Sequence, residues 1–285
     1  KKMEFDPTAE DLRNLKEWIQ AVPYLPHNLE DQEFATYFRA FKGSLEKTKI
    51  FIDKFYQGRI KYPEILTNFN PLSDGAMIDQ KLAYKVPLPQ RAKDGSLIIA
   101  TKIRDCEIDF DPCEIFKMYA LMFKILVLEN QIKNGRVVFI ADCKNVKFSH
   151  IKKMTPQIVA TVMGVITTIF PYRISGMHAI GLPQAAEWMV TLVKSLVKPK
   201  LAERIFLHKN ASELFEWYPK EILPSDFGGD GESLEKLHDE FKIKLEGYTS
   251  RLLKEEIELK KLDALRPKET DNDIFVGSFK KLEID

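Results

Sequence analysis

Four short β-type runs, SLIIATKIRD, RVVFIAD, GMHAIGL and ERIFLH, alternate with three helical runs between residues 96 and 208. No other feature constrains the fold as much. Strands separated by whole helices cannot pair as tight hairpins, so the alternation predicts an α/β domain with a largely parallel sheet. The helical runs carry their own start signals. In DPCEIFKMYALMFKILVLENQIKNG, Asp111 stands at the cap, Pro112 at the first helical position and Glu114 at the third. Thr155-Pro156 opens a threonine-rich helix, and PQAAEWMVTLVKSLV is the third. After the last strand, NASELFEW reads as a short helix capped by Asn210, and LPSDFGGDG as a loop.

The first third has a different texture. Leu12, Leu15 and Ile19 fall at helical spacing after Pro7. Phe34, Tyr37, Phe38 and Phe41 share one face of a second helix that stops at Gly43, and Ser44 caps a third helix that runs toward Pro63. Beyond the α/β run, Glu232 to Leu262 is one long charged helical pattern. A polar tail follows, with an apolar patch at Ile274 to Phe279. The organisation expected is therefore a helical domain over residues 1–83, an α/β domain over 84–247, and a helix end with a polar tail over 248–285.

Composition narrows the chemistry. Among 285 residues, 45% are hydrophobic and the formal net charge is +1. The bulk charge points to no partner, so electrostatic work must come from a local cluster. Cys106, Cys113 and Cys143 are too few, and odd in number, for a disulfide scaffold, and they lack zinc-ligand spacing even with His150. The opening KKMEFDPTAEDL has no apolar signal core, and a cytoplasmic, reduced protein is expected. Met154 to Tyr172 carries no charge, but Ile158, Val159, Val162, Met163, Ile166, Ile169 and Phe170 form one helical face, which reads as a buried helix and not a membrane span. No phosphate-binding loop, G-x-G-x-x-G or G-x-S-x-G is present, since GMHAIGLP has Leu-Pro where a phosphate loop needs Lys-Ser/Thr. His178, inside an apolar strand with no H-E-x-x-H partner, reads as a satisfied core histidine. No nucleophile–base pair or metal set suggests an enzyme.

The order of several motifs resembles the CRAL-TRIO family across nearly the whole chain. FATYFRAFKGSLEKTK is similar to its N-terminal helical motif, and GRVVFIADCKNVKFSHIKKMTP to its central strand and following turn. FPYRISGMHAIGLP, KPKLAERIFLH, LPSDFGG and the terminal GSFKKLEID follow in order. The resemblance implies a helical N-terminal unit beside an α/β lipid-binding domain. Its sheet would floor an apolar cavity, covered by a helical gate. It implies no cofactor, a bound lipophilic molecule, and peripheral attachment to phosphoinositide-containing membranes.

Carried onto this chain, the cavity positions are Val137, Phe139, Ala141, Phe148, Met154, Val162, Val165, Ile166, Ile174 and Met177, with Phe116, Tyr119 and Phe123 from the long helix. The gate is Pro183 to about Val197, with Trp188, Met189, Leu192, Val193 and Leu196 as its apolar stripe. The matching phosphoinositide-binding cations are Arg39, Arg173, Lys200 and Arg204. Ser175 and Ala202 stand at two further positions that are often basic in relatives, and Lys194 and Lys198 are substitutes. Ala141 replaces a Phe of tocopherol-transfer relatives, and Ala185 and Ala186 replace an aliphatic–Phe pair, so a cavity of different shape is expected. The function implied is non-enzymatic binding and transfer of a tocopherol, retinoid, carotenoid or other isoprenoid-like lipid. The alternative is a signalling or scaffold module with a fixed structural lipid.

Overall fold

A computed structural model describes residues 5–267. The tail patch at Ile274 to Phe279 and the GSFKKLEID motif lie outside the described residues.

Helix α1 (Ala9–Gln20) begins in a reciprocal cap. The Thr8 hydroxyl accepts the Asp11 amide and the Asp11 carboxylate accepts the Thr8 amide. Helix α2 (Asp31–Ala40) buries Phe34, Tyr37 and Phe38 and gives way to Gly43 at φ +79°, where a side chain would be strained. Ser44 caps α3 (Leu45–Lys61) as expected. Two further helices, α4 (Pro63–Leu66) and α5 (Asp74–Leu82), complete the unit. Both are short and lack a hydrophobic repeat long enough to read.

The α/β part runs β1 (Ala83–Arg91), β2 (Leu97–Ile103), α6 (Pro112–Leu128), β3 (Arg136–Asp142), α7 (Phe148–Lys153), α8 (Pro156–Ile169) and β4 (Arg173–Ile180). A 3-10 turn at Gln184–Ala186 leads into α9 (Glu187–Leu196), α10 (Pro199–Ala202) and β5 (Ile205–His208). The sheet order is β1-β2-β3-β4-β5; β1 pairs antiparallel with β2 and the rest are parallel. The four expected strands are all present. Strand β1 is an addition: AYKVPLPQR holds two prolines, which an edge strand tolerates because one row of its amides needs no ladder partner.

Strand order decides where a ligand can sit. The chain never reverses direction across the sheet, so right-handed crossovers put their helices on a single face. On that face α6 and α8 pack against Ile99, Val137, Phe139, Ile174 and Met177. The opposite face, with Ile98, Ala100, Val138, Ile140 and Ile180, is sealed by Leu214, Tyr218, Leu223, Phe227 and Leu234 from the chain after β5. His178 points to this second face and is satisfied there. Its ring nitrogens face the Tyr218 hydroxyl and His208 Nε2, each at 2.9 Å, and His208 Nδ1 faces Glu213 at 3.5 Å. Burial, with His208 adding to it, lowers the His178 pKa to about 4.

The long charged pattern proves to be two helices, α11 (Leu234–Gly247) and α12 (Thr249–Leu265), broken at Tyr248. Helix α12 returns to the N-terminal unit. There Arg59 of α3, 3% exposed, donates to both Glu256 oxygens (3.2 and 2.9 Å), to Asp263 (3.2 and 3.1 Å) and to the Leu66 carbonyl (2.9 Å). A second clasp joins Arg266 to Asp53 at 2.9 Å.

Candidate functional site

Parallel register places residues of neighbouring strands on the same face in rows. On the helix-covered face one row is Leu97, Val137 and Ile174, the next Ile99, Phe139, Met177 and Ile205, and the third Thr101, Ala141, Ala179 and Leu207. The rows differ in how well they are filled. Around the first, Phe123, Phe139, Phe170 and Tyr172 pack ring on ring, with Phe123 and Tyr172 centroids 4.4 Å apart. Val137, Ile174, Phe123, Val162 and Val165 are buried in this packed end. Toward the carboxyl ends of the strands, Phe139, Ala141, Met177 and Ala179 on the sheet, Phe116, Tyr119 and Ile166 on the helices, and Met154 in the turn between α7 and α8, keep accessible surface. The expected lining residues therefore divide into a filled plug and a half-covered floor.

Phe148 is a correction. It starts α7 with its side chain outward, 63% exposed, with the Lys152 ammonium over its ring at 4.8 Å. It does not line this face. The alanines also divide. Ala186 is fully packed at the foot of α9 and Ala185 is exposed, so of the three only Ala141 borders the half-covered floor. The sequence reading missed Thr101 and Ala179. Ala179 was accessible by strand alternation, lying two residues past Met177.

The segment expected as the gate opens on a 3-10 turn after Pro183 and continues as α9, which packs on α8. No residue of α9 is buried. Met189, Leu192, Val193 and Leu196 are half-covered and Trp188 is exposed. Among the described residues this apolar stripe is left half-covered.

At the carboxyl end of the floor, the Tyr119 and Thr101 hydroxyls are 2.7 Å apart. Behind them the Lys85 ammonium lies 3.9 Å from the Tyr119 ring centre and 2.7 Å from Asp79. Desolvation pushes Lys85 down and Asp79 up, and each opposes that shift in the other. Burial also raises the Tyr119 phenol and drives the Cys143 thiol up to about 12, so both are neutral. The three cysteines are free, and among the described residues no His, Cys, Asp and Glu cluster could hold a metal.

The four cations are not alike. Arg39, 3% exposed, pairs with Asp6 at 2.9 Å and donates to Thr36 and to Asn130 of the loop after α6. It is a buried strut and cannot present its guanidinium to a headgroup, a second correction. Arg173 steadies the same loop from the sheet side by donating to the Asn134 carbonyl at 3.0 Å. Arg204 donates to the Ile174 carbonyl at 2.7 Å, which brings it beside Arg173, while Lys200 on α10 is exposed. Ser175 bonds Ser96 at 3.0 Å, so a polar strand contact occupies that position.

A sheet with one sealed face and one half-covered face, with the unburied α9 packed on α8, is the arrangement that the resemblance to a lipid-binding domain implies. Comparison with known proteins agrees. The CRAL/TRIO domain model matches residues 82–229, more than half of the chain, and the chain belongs to that family. The Pinta-like UBA domain model matches residues 4–76. The alpha-tocopherol transfer protein-like proteins of Mus musculus and Homo sapiens are each 24% identical, over 79% of this chain and 69% and 70% of theirs. Clavesin-1 of Rattus norvegicus is 31% identical over 41% of this chain and 33% of its own. The crystal structure of Sfh5 aligns with a TM-score of 0.43 at 13% identity, covering 82% of this chain and 92% of that one. Among the described residues no helix is long and apolar enough to cross a membrane.

Proposed function

We propose that this protein is a non-enzymatic cytoplasmic carrier. It shields one lipophilic molecule between the sheet and α9, and exchanges it at phosphoinositide-containing membranes. The observation that carries the reading is the half-covered apolar floor on the sheet face that carries α6 and α8, together with α9, packed on α8, whose apolar residues are not buried. An apolar ligand there would remove surface from water on both sides, at about 25 cal/mol per Å². The printed names of the tocopherol-transfer-like relatives support transfer, and a tocopherol, retinoid, carotenoid or similar isoprenoid fits an apolar site with few polar groups. Membrane docking falls to Arg173, Lys200 and Arg204, since Arg39 is buried. Arginine forks suit phosphate oxygens.

The test is extraction of the purified protein followed by mass spectrometry. Lipid transfer is then timed to vesicles with and without phosphoinositide, for wild type and the Arg173→Ala/Arg204→Ala variant. One exchangeable lipophile, with phosphoinositide-dependent transfer weakened in the variant, is expected. A lipid that never exchanges favours a scaffold module instead. Ile243, Leu253, Ile257 and Leu265, exposed on α11 and α12, would serve such a module as a partner surface.

A further inference from the structure

The loop after β2 forms one wall of an open cleft of about 510 Å³ at the carboxyl ends of β2 and β3. Two bonds tie this loop to the end of α5. The Arg104 amide donates to the Leu82 carbonyl at 2.9 Å, and the Cys106 thiol to the Lys81 carbonyl at 3.6 Å. The Arg104 guanidinium lies 4.8 Å over the Tyr84 ring, and the Tyr84 hydroxyl donates to Glu235 at 3.0 Å, so ring and guanidinium are both held. Charge around the cleft is uneven. Lys102 pairs with Asp226 at 2.7 Å, and Lys147 takes both acidic residues of the loop, Asp105 at 3.1 Å and Glu107 at 3.6 Å. Lys81, exposed, and Arg104, half-buried, remain. Among the described residues no carboxylate pairs with either cation, and the Arg104 guanidinium makes a single long bond, to the Gln80 carbonyl at 3.4 Å. Arginine carries five N–H donors, so most of this fork is unused.

We propose that this cleft is an anion site and that it takes a phosphate monoester. Two uncompensated cations match a dianion, and a phosphate monoester carries about −1.5 to −2 at neutral pH where a carboxylate carries a single charge. The arginine fork bonds two phosphate oxygens and the lysine adds a point charge. A bare phosphate would leave most of the cleft open. Its volume falls among those of small-molecule sites, about 300–1,000 Å³, so the organic part of the ester occupies the remainder. Asn145, steadied by donating to the Ile103 carbonyl at 3.0 Å, offers that part a neutral polar neighbour. The site is separate from Arg173 and Arg204. Those stand at the amino ends of β4 and β5, which in a parallel sheet is the opposite end from the loop after β2. The length of β2 alone sets the two ends roughly 20 Å apart. The proposal is therefore independent of the carrier reading and of its membrane contact.

Calorimetry at neutral pH and low salt tests phenyl phosphate, glucose 6-phosphate, phenyl sulfate and glucose. Sedimentation with phosphatidylcholine vesicles carrying phosphatidic acid tests the same ester as a lipid head, so the two arms separate a soluble source from a membrane one. At least one phosphate ester should bind at a single site, phenyl phosphate more tightly than the singly charged sulfate, and glucose not at all. Lys81→Gln and Arg104→Gln should each weaken binding about 5- to 12-fold, between a good surface ion pair and a charge-assisted hydrogen bond. Arg104→Lys should keep part of it. Lys93→Gln removes the same charge from the turn between β1 and β2, at the far end of the sheet, and should change nothing. Bound ester should also slow alkylation of Cys106 by iodoacetamide, read by peptide mass spectrometry, and added salt should weaken binding. Urea midpoints check that each variant is folded. Binding of none of the three phosphate esters, binding unchanged in both folded Gln variants, or an equal loss in Lys93→Gln overturns the proposal.

Discussion

The clasp between α3 and α12 offers a sharp energetic test. Arg59 makes five hydrogen bonds, four to two carboxylates and one to a carbonyl, and both it and Glu256 are buried. Burial alone would weaken the guanidinium's hold on its proton, but Glu256 and Asp263 outweigh it and the net shift is upward. Replacing Arg59 by Leu strands a buried Glu256 carboxylate and the Leu66 carbonyl. Removing one partner of such a pair costs about 3–5 kcal/mol. Total stability of a domain is about 5–15 kcal/mol, so a large part of it is at stake. In urea the midpoint should drop with little change in slope, and the melting temperature should fall by roughly 6–20 °C. The double variant Arg59→Leu/Glu256→Leu should recover much of the loss, because no buried charge remains unpaired. A single variant within about 1 kcal/mol of wild type would refute the reasoning, since water would then have to reach Glu256 freely.

Ala141→Phe, which adds a ring in front of the hydroxyl pair, should lower affinity for the native lipophile at a stability cost of no more than about 1–3 kcal/mol, read by ligand titration beside urea unfolding. Amides of α9 should exchange hydrogen faster in lipid-free protein than in loaded protein; equal protection would make α9 an ordinary packed helix. His178 titrates near 4 folded against 6.5 unfolded, so its neutral form supports the fold above pH 6.5 and that support is lost as pH falls toward 4. The loss is about 3 kcal/mol. The drop in urea midpoint between pH 7 and pH 4.5 should shrink in His178→Gln; an unaltered drop would assign it to other groups.

Much of the fold was legible because its signals are local. Asp111, Thr155 and Ser44 cap helices by bonding amides two or three residues away, so a few letters of sequence contain the whole interaction. Strand β1 was not legible because its prolines argue against a strand unless the edge position is known. The break at Tyr248 carries no proline or glycine kink of its own beyond Gly247, within a uniformly charged pattern. The site was legible in part for the same reason. Phe139, Ala141 and Met177 follow from alternation along one strand. Arg39 looked like an exposed cation because its partners Asp6 and Asn130 lie 33 and 91 residues away. The Thr101–Tyr119 pair joins a strand to the next helix, and no periodicity within either one reveals it.

The unreversed strand order also bears on how the chain is made. Each strand of the sheet pairs with the one before it in sequence, so every strand leaving the ribosome meets an edge that is already assembled. No strand has to wait for a distant partner or be threaded between two that have paired. The growing sheet always has one newly exposed edge, and β5, at four residues, leaves little of it when synthesis of the sheet ends. A lipid is not needed to align the strands. On the carrier reading proposed above, a lipid would enter after the floor exists, and loading would follow folding.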